Sequence, residues 1–455
     1  MLTAGRVMRA AVPSAPGPCA TKALSSFAIT KDSVNILYVS QYFPPEMGAP
    51  AARAAELSRH WAQTGHDVTI LTGFPNHPTG VIPAEYRARA RRLIARESVG
   101  GVKVVRTWLL PFPNRKAYER MLNYSSFCFS AALTGLSISR PDVVIGTSPQ
   151  LLVGLAGWWL ARAKRVPFVF EVRDLWPESL SAVGMGNENS VLHQSLKKIA
   201  GFLYRKSDHI VVVTPAFEEY LVEHWKVSRE KISVVENGVE ASLFSPREIP
   251  GNLKLELDAE GKFVVCYIGT MGMAHGLETL VNAADQLQQS LPDVRFLLVG
   301  EGAEKEHIVA LVKARGLSNV QFVNQQSRER IPDYISVSDA CLVLLKKTDL
   351  FKTVIPTKML EFMACARPVI LGVDGQARAI VEQARAGIFI EPENVAALVE
   401  AIKLLREDTT LRETMGSNGR RHILEHFSRQ NKAAAYIEVL NRLLGRRPNA
   451  EAMAA

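Results

Sequence analysis

The stretch VNILYVSQYFPPEMGAPAARAAELSRHWAQTG, residues 34–65, decides the fold. It opens with a short run of Val, Ile and Leu, continues through a loop rich in Pro and Gly, and ends in a helical pattern that begins near Ala51. An apolar run bounded by turn residues and followed by a helix is typical of a buried parallel strand. Residues 34–65 therefore predict the first βα unit of a doubly wound sheet.

The same strand–helix rhythm recurs along most of the chain. In the first half the predicted strands are residues 34–40, 67–73, 102–108, 141–149, 167–174 and 209–214, and residues 231–240 end this half. A second series comprises residues 262–272, 294–302, 319–324, 340–346 and 367–372. Two such series, separated by a passage with Pro and Gly at 241–261, predict an α/β protein with two Rossmann-like domains facing a central cleft.

A chain of 455 residues is too long for a single hydrophobic core, which agrees with this division. We expect an N-terminal domain over residues 34–240 and a C-terminal domain over residues 241–428. Residues 1–33 are expected to lie outside the fold, as a transit-peptide-like segment, a disordered tail or an over-extended start. Residues 429–455 are expected to form a helix that packs back toward the first domain, followed by a tail.

The composition, 47% hydrophobic and 22% charged, is that of an ordinary soluble protein. The five cysteines show no CxxC spacing, so we expect them to be reduced and the protein to be cytoplasmic. The most apolar stretch, residues 121–139, is interrupted by Asn123 and several serines. The sequence therefore predicts no membrane-spanning helix.

A doubly wound sheet also suggests a dinucleotide-dependent oxidoreductase, but the glycine spacing does not fit. Such a site requires GxGxxG directly after a strand, with an acid about twenty residues further on. Neither Gly48 nor the glycines of residues 269–272 have this spacing, and the GEG of residues 300–302 lacks the third glycine.

In the second half, two loops at predicted strand ends suit an anion. The glycine turn (residues 269–272, Gly269-Thr270-Met271-Gly272) leads into a helix, so its backbone can approach a phosphate closely. Further along, Pro356 and Thr357 can begin a helix with Lys358 in its first turn.

Glu361 follows Lys358 at i,i+3, so both side chains are expected on one helix face. A simple helix ion pair is one interpretation of this spacing. The other interpretation is a cation for a diphosphate beside a carboxylate that accepts hydrogen bonds from ribose hydroxyls, and the position at the strand ends favours it.

In the first half, the loop of residues 44–50 and the segment EVRDLWPES of residues 171–179 occupy equivalent positions. Gly48 lets the backbone approach a ligand, although a plain tight turn explains it as well. Arg173, Asp174 and Glu178 follow an apolar strand, and a cluster of acids and an arginine at this position favours a functional site over a plain turn.

The motifs YVSQYFPPEMGAPA, EVRDLWPES, VVENGVE, YIGTMG, HGLETL, VGEG and PTKMLEFMACARPV follow one another along residues 34–427. This combination resembles the family-4 group of retaining glycosyltransferases, in particular the branch that builds bacterial surface polysaccharides and includes N-acetyl-fucosamine-type transferases. The resemblance implies a GT-B fold, catalysis with no metal or other cofactor, and a nucleotide-sugar donor, expected to be of the UDP type and to carry an N-acetylated amino sugar, held by the C-terminal domain.

The resemblance also implies roles for individual residues of the second domain. By position, Glu361 resembles the carboxylate that holds the ribose, while Thr357 and Lys358 fall where amides and a cation meet the diphosphate. For a transfer of this kind we predict catalytic roles for Arg173, Asp174, Glu178 and Lys358. The two cations would stabilise the departing phosphate, and the two acids would orient the acceptor or the sugar. The predicted donor-binding set is completed by glycines and neighbouring positions of both domains, namely Gly48, Gly269, Thr270, Gly272, Glu301 and Thr353.

Three positions depart from the family pattern. Thr353 stands where many members have the first of two paired glutamates, so this chain lacks the carboxylate that contacts the sugar hydroxyls at that position in those members. The Arg and Lys that often follow the glycine turn are absent, and His275 stands nearby. Where relatives carry a histidine after the fifth strand, this chain has Arg173 and Asp174.

The charge distribution bears on the acceptor. Residues 1–240 hold the whole formal net charge of +9, and residues 85–120 hold ten Lys and Arg against three Glu, ahead of the apolar stretch MLNYSSFCFSAALTGL. A basic segment beside an amphipathic one predicts peripheral binding to an anionic membrane surface at the inner face of the cell membrane. A solvated basic loop followed by a core helix is the alternative.

We expect a lipid-linked saccharide acceptor, of the polyprenyl-diphosphate type, and no nucleic acid. Two other functions remain possible on the same fold. One is a nucleotide-sugar epimerase, and the other is a non-catalytic partner subunit, which the departure at Thr353 favours slightly.

Overall fold

The computed structural model describes residues 33–77, 79–113, 117–179 and 189–446. Within these ranges the chain forms two α/β domains, each built on one sheet with helices on both faces. Of the predicted extension (residues 1–33), residues 1–32 lie outside the described residues, as do the basic pair Arg115 and Lys116 and the tail from residue 447. Ser33 was predicted to lie outside the fold but is bound to it, since its hydroxyl donates to Gly65 O (2.9 Å).

The N-terminal sheet has the strand order β3-β4-β2-β1-β5-β6-β7-β8, and all neighbours are parallel except β3 and β4. Its described strands are β1 (Asn35–Val39), β2 (Asp67–Gly73), β3 (Ile94–Val99), β4 (Val102–Thr107), β5 (Val143–Thr147), β6 (Phe168–Val172), β7 (His209–Val212) and β8 (Ile232–Val234). Buried aliphatic residues alternate between the two faces of β1, since Leu37 and Val39 belong to one core and Ile36 and Tyr38 to the other.

The C-terminal sheet is parallel throughout, with the strand order β11-β10-β9-β12-β13-β14. Its described strands are β9 (Phe263–Ile268), β10 (Val294–Val299), β11 (Val320–Val323), β12 (Ala340–Leu344), β13 (Val369–Gly372) and β14 (Gly387–Phe389). In both sheets the order reverses beside the first strand, which is where doubly wound proteins form ligand sites.

Helices cover both faces of each sheet. Those of the first half are α1 (Ala49–Gln63), α2 (Ala84–Ala90), α3 (Ala117–Leu136), α4 (Leu151–Lys164), α5 (Val191–Lys206) and α6 (Pro215–Trp225). Those that follow are α7 (Leu253–Glu256), α8 (Glu278–Ser290), α9 (Lys305–Ala314), α10 (Ile331–Val337), α11 (Thr357–Ala364), α12 (Gln376–Ala384), α13 (Val395–Glu407), α14 (Thr409–His426) and α15 (Arg429–Leu443).

The predicted fold class is confirmed, and the strands that the sequence did not predict lie at sheet edges. β3 pairs antiparallel with β4 at one edge, and its residues are mostly exposed or half-buried, so it lacks the apolar run of a central strand. β14 is only three residues long, and all three are half-buried. Edge strands of this kind are invisible to a pattern based on buried Val and Ile.

The last helix leaves the C-terminal sheet and packs on α1. The indole Nε1 of Trp61 donates a hydrogen bond to Ala433 O (3.0 Å), and the two rings Trp61 and Tyr436 lie 5.2 Å apart. The chain crosses between the domains twice, once near Val239 and again near Phe427. The two crossings run side by side, and Val239 N donates a hydrogen bond to Phe427 O. This places α1 next to both crossings, close to the boundary between the domains.

Candidate active site

The glycine turn lies against the loop that follows β10. Gly269 has φ +136° and Gly300 has φ +145°, and a Cβ on Gly300 would come within 2.1 Å of Gly269 O. Only glycine allows the two loops to approach this closely. Met271 N donates to Glu301 O (2.9 Å), so Glu301 supports the turn through its backbone, while its exposed side chain pairs with Lys305 (2.6 Å).

Lys358 lies directly beneath this turn. Its ammonium nitrogen is 2.9 Å from Tyr267 Oη, which itself donates to Thr270 O, and a Cβ on Gly269 would meet Lys358 Nζ at 2.9 Å. Burial lowers the pKa of Lys358 to about 7, opposed by the nearby Glu361 carboxylate. A half-buried ammonium with one hydroxyl as its hydrogen-bond partner among the described residues is suited to accept an anion.

Thr357 is the first residue of α11, and Pro356 precedes it as the N-cap. Because proline has no side-chain acceptor, the first amides of α11 are left to face a ligand beside Lys358. The segment before the helix touches the other domain, since Leu350 and Val354 pack against the apolar core of the N-terminal sheet. The N-terminus of α11 therefore lies at the inter-domain boundary.

Thr353 closes the short 3₁₀ turn that precedes α11, where its hydroxyl donates to Leu350 O (2.6 Å). Next to this turn, a cavity of about 260 Å³ lies at the ends of β12 and β13. It is lined by residues that include Lys346, Lys352 and Asp374. The cavity is lined by charged side chains that suit a polar group, whereas Thr353 itself supplies no carboxylate.

Glu361 is buried, and its Oε1 accepts a hydrogen bond from Arg328 Nη1 (2.9 Å). Arg328 also reaches Glu56 of α1, at 2.8 Å between Nη2 and Oε1. Burial raises the pKa of Glu361, while Arg328 opposes that rise. The structure thus places Glu361 at the domain boundary, in an ion bridge that the sequence did not predict. Its partners are 33 and 305 residues away along the chain, so no local spacing reveals them.

On the N-terminal side, Arg173 extends toward the loop that contains Gly48. Its Nη1 is 3.5 Å from Pro50 O, and its buried Nε has no partner among the described residues. Gly48 has φ +125° and directly precedes α1. An arginine with an unused donor beside a helix N-terminus is suited to a phosphate.

Asp174 and Glu178 differ in their surroundings. Burial raises the pKa of Asp174 to about 6, opposed by Arg173, and within the described residues the Asp174 carboxylate has no hydrogen-bond partner. Glu178 Oε1 accepts a hydrogen bond from Tyr220 (2.7 Å), and Glu178 Oε2 is buried without one. Asp174 is therefore the freer of the two acids.

Glu171, the first acid of the predicted polar segment, lies in the interior of the N-terminal domain. It is fully buried and accepts hydrogen bonds from Tyr38 and Thr147 (2.6 Å each) and from Arg53 (2.8 Å). Arg53 also donates to the first domain crossing through Val235 O. This cluster holds the crossing against α1, so Glu171 is a structural residue.

A buried polar cluster that the sequence did not predict lies at the ends of β1, β2 and β4. Glu46 Oε1 accepts hydrogen bonds from the backbone amides of Asn76 and His77 (3.0 Å each), and Glu46 Oε2 is buried without a partner in the described chain. Burial raises the pKa of Glu46 to about 7. Asn123 joins Gln41 and Asn76 through side-chain hydrogen bonds. Amides and a carboxylate in this arrangement suit a hydroxyl-rich ligand.

Only some of the cations in the predicted basic segment, residues 85–120, lie on the surface. Arg106, one of its ten cations, is fully buried and bonds Glu97 and the carbonyls of Gly73 and Pro44. Lys103 and Arg89 are exposed but paired with acids. The prediction that all these cations face an anionic partner is therefore wrong for Arg106, which braces the loop of residues 41–46.

No group of three or more His, Cys, Asp or Glu side chains within the described ranges is placed to hold a metal ion. The described helices also include none that is both long and apolar enough to cross a membrane.

Two doubly wound domains whose strand-end loops meet at a shared boundary are the architecture of the GT-B class of glycosyltransferases. Residues 48–238 match the family model "Glycosyl transferase 4-like domain", and residues 253–422 match "Glycosyl transferases group 1". Together the two matches account for most of the chain, which belongs to the glycosyltransferases that combine these two domains.

Individual proteins agree with this assignment. The chain is 24% identical over 402 residues to WcaI of Escherichia coli K12, assigned to colanic acid biosynthesis as a glycosyl transferase, and the match covers 84% of this chain and 95% of WcaI. Sucrose-phosphate synthase from Thermosynechococcus elongatus has the same fold, with a TM-score of 0.72 and 21% identity over 90% of this chain and 99% of that one. Anabaena HepE in complex with UDP and glucose gives a TM-score of 0.67 and 18% identity over 90% and 99%.

Proposed function

We propose that this glycosyltransferase takes a sugar from a nucleoside-diphosphate donor whose diphosphate lies between the glycine turn, the N-terminus of α11 and Lys358. The single observation that carries the proposal is the half-buried ammonium of Lys358, which has a hydroxyl as its hydrogen-bond partner and lies against Gly269. From the other domain, Arg173 and the loop at Gly48 complete the enclosure. The complex of HepE with UDP and glucose supports a UDP-type donor.

Glu361 is proposed to accept hydrogen bonds from the ribose hydroxyls. Its Oε1 is bound to Arg328, and Oε2 has no hydrogen-bond partner among the described residues. A carboxylate oxygen with free lone pairs one helical turn from Lys358 suits the pentose that precedes a diphosphate. Thr357 and Thr270 are proposed to contribute backbone amides nearby. Gly272, whose own amide donates to His275 Nδ1 (3.3 Å), is proposed to let the backbone approach the phosphate.

The proposed reaction retains the configuration of the sugar and uses no metal. As the glycosidic bond to the diphosphate breaks, negative charge develops on the departing phosphate oxygen. Lys358, Arg173 and the amides at the start of α11 would stabilise that charge, as fixed dipoles and cations do in a site closed to water. The departing phosphate would take the proton of the acceptor hydroxyl, while Asp174 and Glu178 orient the acceptor or the sugar.

The acceptor is proposed to be a lipid-linked saccharide of the polyprenyl-diphosphate type, extended during the synthesis of a cell-surface polysaccharide. The similarity to WcaI, assigned to colanic acid biosynthesis, supports this role. The polar cluster around Glu46 supports acceptor binding by the N-terminal domain, since its amides and unpartnered carboxylate oxygen match sugar hydroxyls. The sugar of the donor is proposed to be an N-acetylated amino sugar.

The N-terminal domain is also proposed to lie on the anionic inner face of the cell membrane, in the cytoplasm. One face of α3 carries exposed apolar side chains at helical spacing, namely Tyr118, Leu122, Phe129, Leu133 and Leu136. Cations lie at the C-terminal end of this face, because Arg96 bonds Ser137 and Lys164 bonds Ile138 O. An apolar stripe next to cations fits the interface of a bilayer with anionic lipids.

Nucleotide binding tests the donor proposal. In a thermal-shift screen of UDP, ADP, GDP and their sugar conjugates, we expect UDP compounds to raise the melting temperature most. Lys358→Ala and Glu361→Ala should each reduce that shift and slow transfer. Unchanged donor turnover in both variants would show that the donor is placed elsewhere.

Vesicle sedimentation tests the membrane proposal. We expect binding to phosphatidylglycerol vesicles at low salt, weaker binding at high salt, and a loss of binding in the double variant Phe129→Ser, Leu133→Ser. The matched control is Leu255→Ser on α7 of the other domain, since Leu255 is equally exposed, at 62%. Wild-type protein that stays in solution at low salt would remove the claim.

A further inference from the structure

Arg328 joins three parts of the molecule that belong to different structural units. It lies in the loop after β11, and its Nε and Nη2 are 3.0 and 2.8 Å from Glu56 Oε1 on α1 of the N-terminal domain. Its Nη1 donates to Glu361 Oε1 on α11 of the C-terminal domain (2.9 Å). The guanidinium also lies 4.9 Å from the ring centroid of Phe244, in the segment between the two sheets.

Glu56 is anchored on its other side. Its Oε2 accepts a hydrogen bond from Arg429 Nε (2.8 Å), and both side chains are almost fully buried. Arg429 begins α15, directly after the second crossing between the domains. The chain Glu361–Arg328–Glu56–Arg429 therefore runs from the C-terminal domain, through α1, to the crossing segment, and it is continuous in hydrogen bonds.

The position of this chain of charges matters because Glu361 is also the residue proposed to hold the ribose. Any movement of α1 relative to the C-terminal sheet must stretch or break the contact of Arg328 with Glu56, while the contact with Glu361 lies within the C-terminal domain. A fork of guanidinium donors holds two carboxylates at fixed geometry, which a lysine with its single ammonium cannot reproduce. Arg328 is thus placed to transmit the state of Glu361 to the other domain.

We propose that Arg328 is a positioning residue, which holds Glu361 in place for the pentose of the donor and couples donor binding to the approach of the two domains through Glu56. This inference rests on the proposed role of Glu361. It goes further because it assigns the link between nucleotide recognition and domain approach to one arginine.

The electrostatics agree with the geometry. Arg328 lowers the pKa of Glu361 against the effect of burial, so its removal should make Glu361 easier to protonate and a poorer acceptor at mildly acidic pH. The charged or titratable groups that influence or face Glu361 come from several elements, namely Arg328, Glu56, Arg429, Lys358 and Cys365. The donor affinity of an Arg328 variant should therefore fall more steeply at low pH than that of the wild type.

Three variants of the complete protein separate the two functions of the bridge, with UDP as the probe. Arg328→Gln removes both contacts, so we expect the Kd for UDP to rise about tenfold or more. Glu56→Gln leaves the Arg328–Glu361 contact, so the Kd should stay within about threefold while the domains lose their link. Arg406→Gln is the control, since Arg406 pairs with Asp293 at 2.8 Å inside the C-terminal domain.

Calorimetry gives the Kd, and small-angle scattering with and without UDP gives the change in radius of gyration. We expect UDP to compact the wild type and Arg406→Gln but neither Arg328→Gln nor Glu56→Gln. Arg328→Gln that binds UDP like the wild type, or Glu56→Gln that still compacts, would overturn the inference while leaving the proposed function intact. Glu361→Ala that binds UDP normally would instead overturn the proposed function.

Because Glu56 and Arg328 are well packed, Arg328→Lys serves as a second test if the other variants fail to fold. Lys retains a positive charge beside Glu361, so the Kd for UDP should stay near the wild-type value. It cannot bridge both carboxylates, so compaction with UDP should be lost. Full compaction of Arg328→Lys would contradict the assigned role of the guanidinium.

Discussion

One cation in each domain shows how differently their desolvated charges are hydrogen-bonded. In the N-terminal domain Arg53 makes five hydrogen bonds, two to Glu171 and three to the crossing segment, so its guanidinium is fully satisfied. In the C-terminal domain the ammonium of Lys358 has only Tyr267 Oη as a hydrogen-bond partner in the described chain. The comparison teaches that a saturated buried charge stabilises the fold, whereas an under-partnered one is available to a ligand.

The largest expected effect follows from removing the fully hydrogen-bonded cation of the N-terminal domain. Arg53→Met leaves Glu171 as a buried carboxylate without its cation, so the free energy of unfolding should fall by about 3–5 kcal/mol. Chemical denaturation of the purified protein measures it. Urea midpoints that match the wild type would show that Arg53 is not a structural residue.

The second prediction breaks the C-terminal side. Lys358→Met removes the cation proposed for the departing phosphate, so turnover should fall by about 10²–10³-fold. The free energy of unfolding near pH 6 should stay equal or rise, because a desolvated charge with one partner is lost. Steady-state kinetics and denaturation on the same preparation test both halves. A large loss of stability with little loss of turnover would reverse the comparison.

The third prediction tests whether the N-terminal domain contributes only support. Asp174 is an exception on that side, since its carboxylate has no hydrogen-bond partner within the described residues and burial raises its pKa to about 6. Asp174→Asn should lower kcat by about 10²-fold, the scale of loss expected when a reacting group is misplaced by about 1 Å. The Kd for UDP should not change. Unaltered kcat would leave the N-terminal domain without a catalytic acid at this position.

The contrast between the domains also explains how much the sequence could predict. Runs such as VNILYVS and KFVVCYIG predict the central strands β1 and β9 because both faces of a parallel sheet are apolar. The glycine turn and Lys358 were predicted together as donor-binding residues, and they lie in contact. Their meeting follows from topology, since the ends of neighbouring parallel strands share one edge.

The bridge of Arg328 could not be predicted in this way. Glu56 and Arg328 are 272 residues apart, and neither follows a strand with an obvious motif. Likewise, Arg106 was expected on a basic surface because charge counts along a sequence do not distinguish exposed cations from buried ones. Contacts between domains depend on how two sheets are placed, which local periodicity does not specify.

The smallest expected effect is a change of UDP affinity with pH. It tests the contrast between Arg53 and Lys358 most directly, because it depends on the protonation of Lys358 alone. Burial lowers the pKa of Lys358 to about 7, so about half of the free protein carries the charge at pH 7 and about a tenth at pH 8. An anion binds the protonated form better and raises its pKa. The affinity for UDP should therefore fall about fivefold from pH 7 to pH 8, with proton uptake on binding.

Lys358→Arg supplies the matched control, because a guanidinium stays charged throughout this range. The ionisation of UDP itself affects both proteins equally, so the ratio of their Kd values isolates Lys358. Calorimetry in two buffers of different ionisation enthalpy should show proton uptake for the wild type and none for Lys358→Arg at pH 7.5. If the Kd for UDP changes equally with pH in the two proteins, Lys358 is already charged before UDP binds. Its surroundings would then stabilise the charge as fully as the hydrogen bonds of Arg53 do, and the contrast between the two cations would be lost.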